Sequence, residues 1–265
     1  MTEAAAAARA AVRCVPAVPS WVSLTVRDLA AAQAFYGPLL GWAFERGPDR
    51  WGQYLRAVVD GVAVAGLSVG EDLQLPVAWT TYFGTENADA AAERVRARGG
   101  TVAVGPLGFD AGRVAFAADP AGAPFGLWEG ESVTGSTWLS SPGAPVWIEL
   151  RTRDAFEAAL FYGEVFAWDT RDPQQLEVRW EHDRVVLRTA GRSVAALAVA
   201  ADLDARPTWN VFFSVADLDA ALALARQLGA TAVGPVTETP YGRQAELRDP
   251  QGGLLWLITP TTHTH

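Results

Sequence analysis

The sequence predicts an α+β protein of two tandem modules, and three matched segments carry that prediction. Asp28–Trp42 (DLAAAQAFYGPLLGW) returns as Asp154–Trp168 (DAFEAALFYGEVFAW), an offset of 154 − 28 = 126 residues. Asp89–Thr101 (DAAAERVRARGGT) returns as Asp219–Thr231 (DAALALARQLGAT), an offset of 219 − 89 = 130. Asp119–Gly122 (DPAG) returns as Asp249–Gly252 (DPQG), again at 130. The order never scrambles, and the 130 − 126 = 4 extra residues fit one longer loop. A repeat of this length means two copies of one folded unit.

Each element follows from local pattern. WVSLTV (Trp21–Val26) alternates apolar and polar residues as a half-buried strand does, and Asp28 then caps an Ala-rich helix. Strand-forming stretches follow at Gln53–Val59 and Val62–Val69, and WTTYFG (Trp79–Gly84) is a further strand. Ala88–Arg98 reads as a helix stopped by Gly99–Gly100, since glycine takes the C-terminal capping conformation without strain. Thr101–Val104, Gly112–Ala117 and Pro124–Glu129 close the copy as strands. Strand, helix, strands therefore occurs twice per copy, and the second copy repeats it from Val146 and from Trp209. The Ser-, Gly- and Pro-rich ESVTGSTWLSSPGAP reads as a linker, with Trp138 packed on a module surface. The expected organisation is a disordered tail over 1–17, modules over 18–130 and 146–260, a linker over 131–145 and a tail over 261–265.

Composition excludes several functions. The chain has 265 residues, 50% of them hydrophobic, enough for two modules that each bury a core. A net charge of −9 argues against nucleic acid or an anionic membrane as partner. The Ala-rich start has no signal-peptide pattern, and no run is long and apolar enough to span a bilayer, so a cytoplasmic protein is expected. All 21 basic residues are arginine, which removes Schiff-base catalysis by lysine. The one cysteine, Cys14, lies outside both copies, and His182 is the one histidine inside a module. A disulfide within the chain is impossible, and no GxSxG elbow accompanies His182.

A strand, Asp and helix with FYG and GW, then DxxAAxxxxxxxGG and a closing DPxGxxxxLW, resemble the vicinal oxygen chelate superfamily of glyoxalases, bleomycin-resistance proteins and extradiol dioxygenases. The resemblance runs from residue 18 to 260. It is strongest to tandem-module actinobacterial proteins, through PSWVSLTVRD, VAGL, WTTYF, DPAGAPFGLWEG and TPYGR. It implies βαβββ units paired into open, cupped sheets. In metal-binding members the ligands lie on the cup floor, at positions that correspond here to Trp21, Thr80 and Gly126 in copy one. In copy two they correspond to Trp147, Asn210 and Trp256. None is His, Asp, Glu or Cys, the donors such ions need. No metal and no cofactor is therefore expected.

Alternation along the first strand of each copy assigns faces. Val22, Leu24 and Val26 should pack under the helix, leaving Trp21, Ser23 and Thr25 toward the cup. In copy two Ile148 and Leu150 pack inward while Trp147, Glu149 and Arg151 face the cup. The resemblance implies an acidic residue at both Ser23 and Glu149, so copy one has departed. Glu149 and Arg151 are the candidate catalytic pair: a carboxylate desolvated beside Trp147 would gain proton affinity, and Arg151 would orient an anionic or carbonyl ligand. A structural Glu149–Arg151 ion pair is the alternative. Trp147, Asn210, Phe212, Trp256, Trp21, Ser23, Thr80 and Tyr82 are candidate ligand contacts, against core packing or ladder hydrogen bonds. Arg113 and Arg243 read as surface anchors, Asp28 and Asp154 as helix caps, Asp119 and Asp249 as turn residues, Tyr36 and Tyr162 as core, and His182 as a turn residue.

The expected function is metal-independent acid/base chemistry, such as cyclisation, isomerisation or elimination, on a small aromatic or polyketide-like molecule of specialised metabolism. Sequestration of such a compound is the second expectation, and a structural or regulatory protein with filled cups the third. The partner is a small molecule, and the protein a monomer or homodimer.

Overall fold

The computed structural model describes residues 16–47, 52–70, 76–109, 112–130, 141–168, 176–181 and 183–261. Residues 1–15, most of the expected linker with Trp138, His182 and the last four residues lie outside the described set, and so do the expectations attached to them.

Copy one holds two βαβββ units. The first is β1 (Pro19–Val26), α1 (Leu29–Leu40), β2 (Ala43–Arg46), β3 (Tyr54–Val59) and β4 (Val62–Val69). The second is β5 (Ala78–Gly84), α2 (Ala88–Ala97), β6 (Thr101–Phe109), β7 (Gly112–Ala118) and β8 (Pro124–Gly130). Copy two opens with β9 (Pro145–Thr152), α3 (Ala155–Val165), β10 (Glu177–Glu181), β11 (Arg184–Thr189) and β12 (Arg192–Val199). It continues with β13 (Thr208–Ser214), α4 (Leu218–Gln227), β14 (Thr231–Ala232), β15 (Thr237–Thr239), β16 (Gly242–Arg248) and β17 (Leu254–Pro260). The short β2 escapes sequence reading because AFER carries no apolar alternation and pairs only at a sheet edge.

The two units of one copy pair with each other. One sheet runs β2-β3-β4-β1-β5-β8-β7-β6 and the other β10-β11-β12-β9-β13-β17-β16-β14, with β15 beside β16. At each centre the first strands of the two units are antiparallel, β1 to β5 and β9 to β13. Asp28 caps α1 by accepting from the Ala30 and Ala31 amides at 2.7 and 3.1 Å, and Asp154 caps α3 through Phe156 and Glu157.

Alternation places the faces as expected. Val22, Leu24, Val26, Ile148 and Leu150 belong to one core shared by both copies. In it α1 meets α4, α2 meets α3, and β5 meets β13. The sheets are thus packed back to back through their helix-bearing faces, and their other faces point outward.

Tyr36 and Tyr162 lie in this core, but their hydroxyls do more than fill space. Tyr36 donates to Asp249 Oδ2 at 2.7 Å, and Tyr162 donates to Asp119 Oδ2 at 3.2 Å. Each tyrosine comes from one copy and each aspartate from the other. The aspartates also hold their own DPxG turns: Asp119 accepts from the Ala123 amide, and Asp249 from the Gln251 and Gly253 amides, all at 2.8 Å. Burial pushes the Asp119 carboxyl up, and these donors pull it back. Burial likewise drives both tyrosine hydroxyls well above their ordinary value, reinforced by the facing carboxylates. Trp209 Nε1 donates to the Tyr162 hydroxyl at 2.9 Å, extending the network.

Removing one hydroxyl leaves a buried carboxylate short of a donor, so Tyr162→Phe should lower unfolding free energy by about 1–3 kcal/mol. Urea titration will measure it, and a cost near zero would show that the contact is incidental. The same titration should show one cooperative transition, because the core is common; two separate transitions would contradict that.

Candidate functional site

The outward cups share a backbone and differ in chemistry. In cup one β1, β5 and β8 bring together Trp21, Ser23, Thr80, Tyr82 and Gly126, with Ser23 opposite Thr80 and Tyr82 beside Gly126. Tyrosine rings fill this space. A Cβ at Gly126 would stand 2.2 Å from the Tyr82 ring, and one at Gly66 only 2.1 Å from the Tyr54 hydroxyl. Only glycine lets the rings lie so close to the sheet. Trp21 Nε1 donates to the Tyr54 hydroxyl at 3.2 Å, and the Ser23 and Tyr82 hydroxyls are 3.0 Å apart. Burial raises the Tyr82 hydroxyl to about 12, so it stays protonated at neutral pH.

Cup two brings Trp147, Glu149 and Arg151 together with Asn210, Phe212 and Trp256. Glu149 lies opposite Asn210, and Phe212 stands in register with both Trp147 and Trp256. Trp147, Phe212 and Trp256 pack with Val186, Ala196 and Ile258 into a second apolar cluster, separate from the main core. Above it sit two guanidinium–aromatic stacks. Arg151 lies 4.1 Å over the Trp256 ring, and Trp256 stacks on Phe212. Arg184 lies 5.8 Å from the Tyr241 ring centre, and Tyr241 stacks on Trp147. Glu149 ties the stacks: Oε1 accepts from Arg151 Nε and Oε2 from Arg184 Nη1, both at 2.9 Å. The carboxylate is 5% exposed, so the arginines supply the charge compensation that water would otherwise give.

The ion pair left open by sequence reading is therefore present, with a second arginine added. Both Glu149 oxygens are engaged, which suits an anchor for two guanidiniums. Asn210 donates to the backbone oxygens of Glu149 and Thr208 at 3.3 and 3.4 Å, which is ladder bonding. Arg113 and Arg243 anchor to Asp89 and Asp219 outside the cups.

Sequence reading missed Tyr54, Arg184, Tyr241 and Glu246. Glu246 is half-buried on β16, in register with Trp256, and its neighbours Ala245 and Leu247 point into the core. That alternation in QAELR was the available signal. Burial raises the Glu246 carboxyl, opposed by Arg151 and Arg248. At matched positions Ser23, Thr25, Tyr54 and Phe116 of cup one stand where cup two has Glu149, Arg151, Arg184 and Glu246. At these four positions only the second cup is charged, whereas cup one has an Arg56–Glu45 pair on β3 and β2.

The fold and the two cups define the class. A glyoxalase/bleomycin resistance protein/dioxygenase superfamily profile matches residues 19–127, and a glyoxalase-like domain profile matches 147–258. The chain belongs to that superfamily. Among its relatives, CFP32 of Mycobacterium tuberculosis is 32% identical over 249 residues, covering 91% of this chain and 94% of CFP32. The anthracycline biosynthesis protein DauV of Streptomyces sp. (strain C5) is 34% identical over 260 residues, covering 91% and 92%. DnrV of Streptomyces peucetius, with the same description, is 33% identical. Solved structures of the same fold include a Mn(II)-bound glyoxalase from Novosphingobium aromaticivorans, with TM-score 0.59, 18% identity and coverage of 94% and 86%. The 2,3-dioxygenase LapB from Pseudomonas sp. KL28 gives TM-score 0.62 at 12% identity, covering 96% of each chain.

The residues present do not fit the divalent metal that such folds hold. In cup one the Tyr82 ring covers Gly126. In cup two the matching position is Trp256, under the Arg151 guanidinium, whose positive charge opposes a nearby cation. Among the described residues no group of three His, Cys, Asp or Glu side chains could hold an ion.

Glu246 has a pH signature of definite sign. Its folded carboxyl binds a proton more tightly than the unfolded one, so its contribution favours the fold at acid pH and falls as pH rises through the raised value. Glu246→Gln should remove that cost, raising the melting temperature at pH 7 by about 1–3 °C and leaving it unchanged near pH 4. A melting curve lowered at pH 7 would show that Glu246 is held by its arginine neighbours instead.

Proposed function

We propose that this chain acts in specialised metabolism on a small, planar, aromatic or polyketide-like molecule, in the second cup and without a metal. The observation that carries the reading is the contrast between the cups. Cup one forms with no charged residue at these four positions, its own ion pair being Arg56–Glu45 near the sheet edge, yet cup two has a carboxylate and two arginines on an aromatic floor. Such a cluster costs stability relative to apolar packing, so its retention points to a ligand. The relatives described as anthracycline biosynthesis proteins support a polycyclic aromatic compound.

The indoles of Trp147 and Trp256 form the buried floor of the cup, and the partly exposed Tyr241 ring and the Arg151 and Arg184 guanidiniums over that floor present the faces a ligand would meet. Arg151 and Arg184, held by Glu149, orient its carbonyl or enolate oxygens. Non-redox acid/base chemistry at that oxygen, giving cyclisation, isomerisation or elimination, is the reaction class proposed. Both Glu149 oxygens already hold an arginine. That engagement favours, as a second reading, a protein that sequesters the compound unchanged.

An anthraquinone such as alizarin is a suitable probe. It should quench tryptophan fluorescence saturably, and Trp256→Ala should weaken binding about tenfold or more. Equal binding by the variant would remove cup two as the site. Conversion of a bound substrate, abolished in Glu149→Gln, marks the enzyme, and recovery of unchanged compound marks sequestration. Elemental analysis of active protein should find no stoichiometric transition metal, and activity that depends on one would overturn the metal-free reading.

A further inference from the structure

The repeat makes the two seams between the copies comparable, and they are not equally closed. At the first, the DPQG turn of copy two meets the start of α1. Gln251 Oε1 accepts from the Arg27 and Asp28 amides, both at 2.9 Å, while Gln251 Nε2 donates to the Asp28 carbonyl at 2.8 Å. Arg27 Nη1 adds a bond to the Gln251 carbonyl at 3.2 Å. One primary carboxamide thus satisfies two amide donors and one carbonyl acceptor.

At the second seam the DPAG turn of copy one meets the start of α3, and Ala121 stands where the first seam has Gln251. A pocket of about 290 Å³ opens there, lined by Asp119, Pro120, Ala121, Arg153, Asp154 and Phe161 among others. Among the described residues no acceptor meets the Arg153 and Asp154 amides, the counterparts of Arg27 and Asp28. The Arg153 Nε donates to the Leu203 carbonyl and not to the DPAG turn. The Asp154 carbonyl takes the Ala158 amide at 3.2 Å, as Asp28 takes Ala32 at 3.1 Å, and at the first seam that geometry leaves room for a second donor.

The geometry points to this seam pocket as a second small-molecule site, apart from both cups, for a ligand that bears a primary carboxamide on a small apolar body. The carboxamide would take the place of the missing Gln251 side chain: its oxygen would accept from the Arg153 and Asp154 amides, and its NH2 would donate to the Asp154 carbonyl. Pro120, Ala121, Ala158, Leu160 and Phe161 give the body apolar contact. The charge around the pocket disfavours a carboxylate. Asp119, Asp154, Glu157 and Glu164 stand against Arg98 and Arg153, and Arg98 is already bound to Glu164. The two amide donors suit either ligand, but only a carboxamide also supplies a donor and brings no negative charge.

Benzamide is the probe, read by 1H–15N spectra of the full chain. Saturable shifts at the Arg153 and Asp154 amides, with benzoate at least about tenfold weaker, are expected. Ala121→Gln should move the Asp154 amide without any ligand, because the new side chain takes the place of benzamide, and it should weaken benzamide about tenfold or more. Ala121→Met, which fills the pocket without an amide, should weaken benzamide and leave the free Asp154 signal in place. These two variants separate occupancy from a general loss of structure, which the remaining signals report. Absence of shifts at Arg153 and Asp154, benzoate binding as well as benzamide, or unchanged benzamide binding in both variants would each overturn the proposal.

Discussion

Two buried aspartates hold this molecule together. Asp119 and Asp249 are 4% and 5% exposed, and neither could stay there without donors on both oxygens. One oxygen of each is met within its own turn, the other by a tyrosine hydroxyl of the opposite copy. Each copy therefore completes the hydrogen bonding of the other. These two bonds and the shared apolar core act together, with the sheets back to back and both cups outward.

Because the seam takes the helix-bearing faces, the outward faces are free to diverge, and they have. Cup one has condensed on itself: Tyr82 lies on Gly126 and Tyr54 on Gly66, each hydroxyl meeting a polar partner. Cup two carries Trp256 and Ala196 where cup one has those glycines, which bars tyrosines from the same seats. Its arginines lie over the aromatic floor instead, and a guanidinium on an indole retains part of the favourable energy it loses on leaving water. The glycine-to-tryptophan difference on one strand and the tyrosine-to-arginine difference on another are thus two sides of one steric choice.

Much of the fold was legible because duplication reads one pattern twice. Period-two alternation on the first strands correctly separated Val22, Leu24, Ile148 and Leu150 from Trp21, Ser23, Trp147 and Glu149. The outer strands were harder. RVVLR has apolar residues on both faces, and β11 shifts register against β12 between Leu187 and Arg188, so Arg184 could not be assigned to the cup by counting. The tyrosine–aspartate bonds were not legible at all. Their partners lie 213 and 43 residues apart, and only the closed three-dimensional seam brings them together.

The two cups can be compared within one chain. A buried Glu149 between two arginines can be explained as structure, since it is fully paired. Pairing explains why the cluster is tolerated and leaves open why it is there. Cup one answers through the same strands in the same order, with Ser23, Thr25, Tyr54 and Phe116 in place of Glu149, Arg151, Arg184 and Glu246. The sheet forms without a charge at those positions, although cup one has an Arg56–Glu45 ion pair of its own on β3 and β2. Replacing buried ion clusters by packed uncharged side chains is often neutral or stabilising, so stability alone would have let both cups drift to the same composition. Their difference supports the second cup as the proposed site, and Glu246, with its raised proton affinity, lies there too. Cup one, which folds with uncharged residues at these four positions, is the comparison that supports the site proposed in cup two.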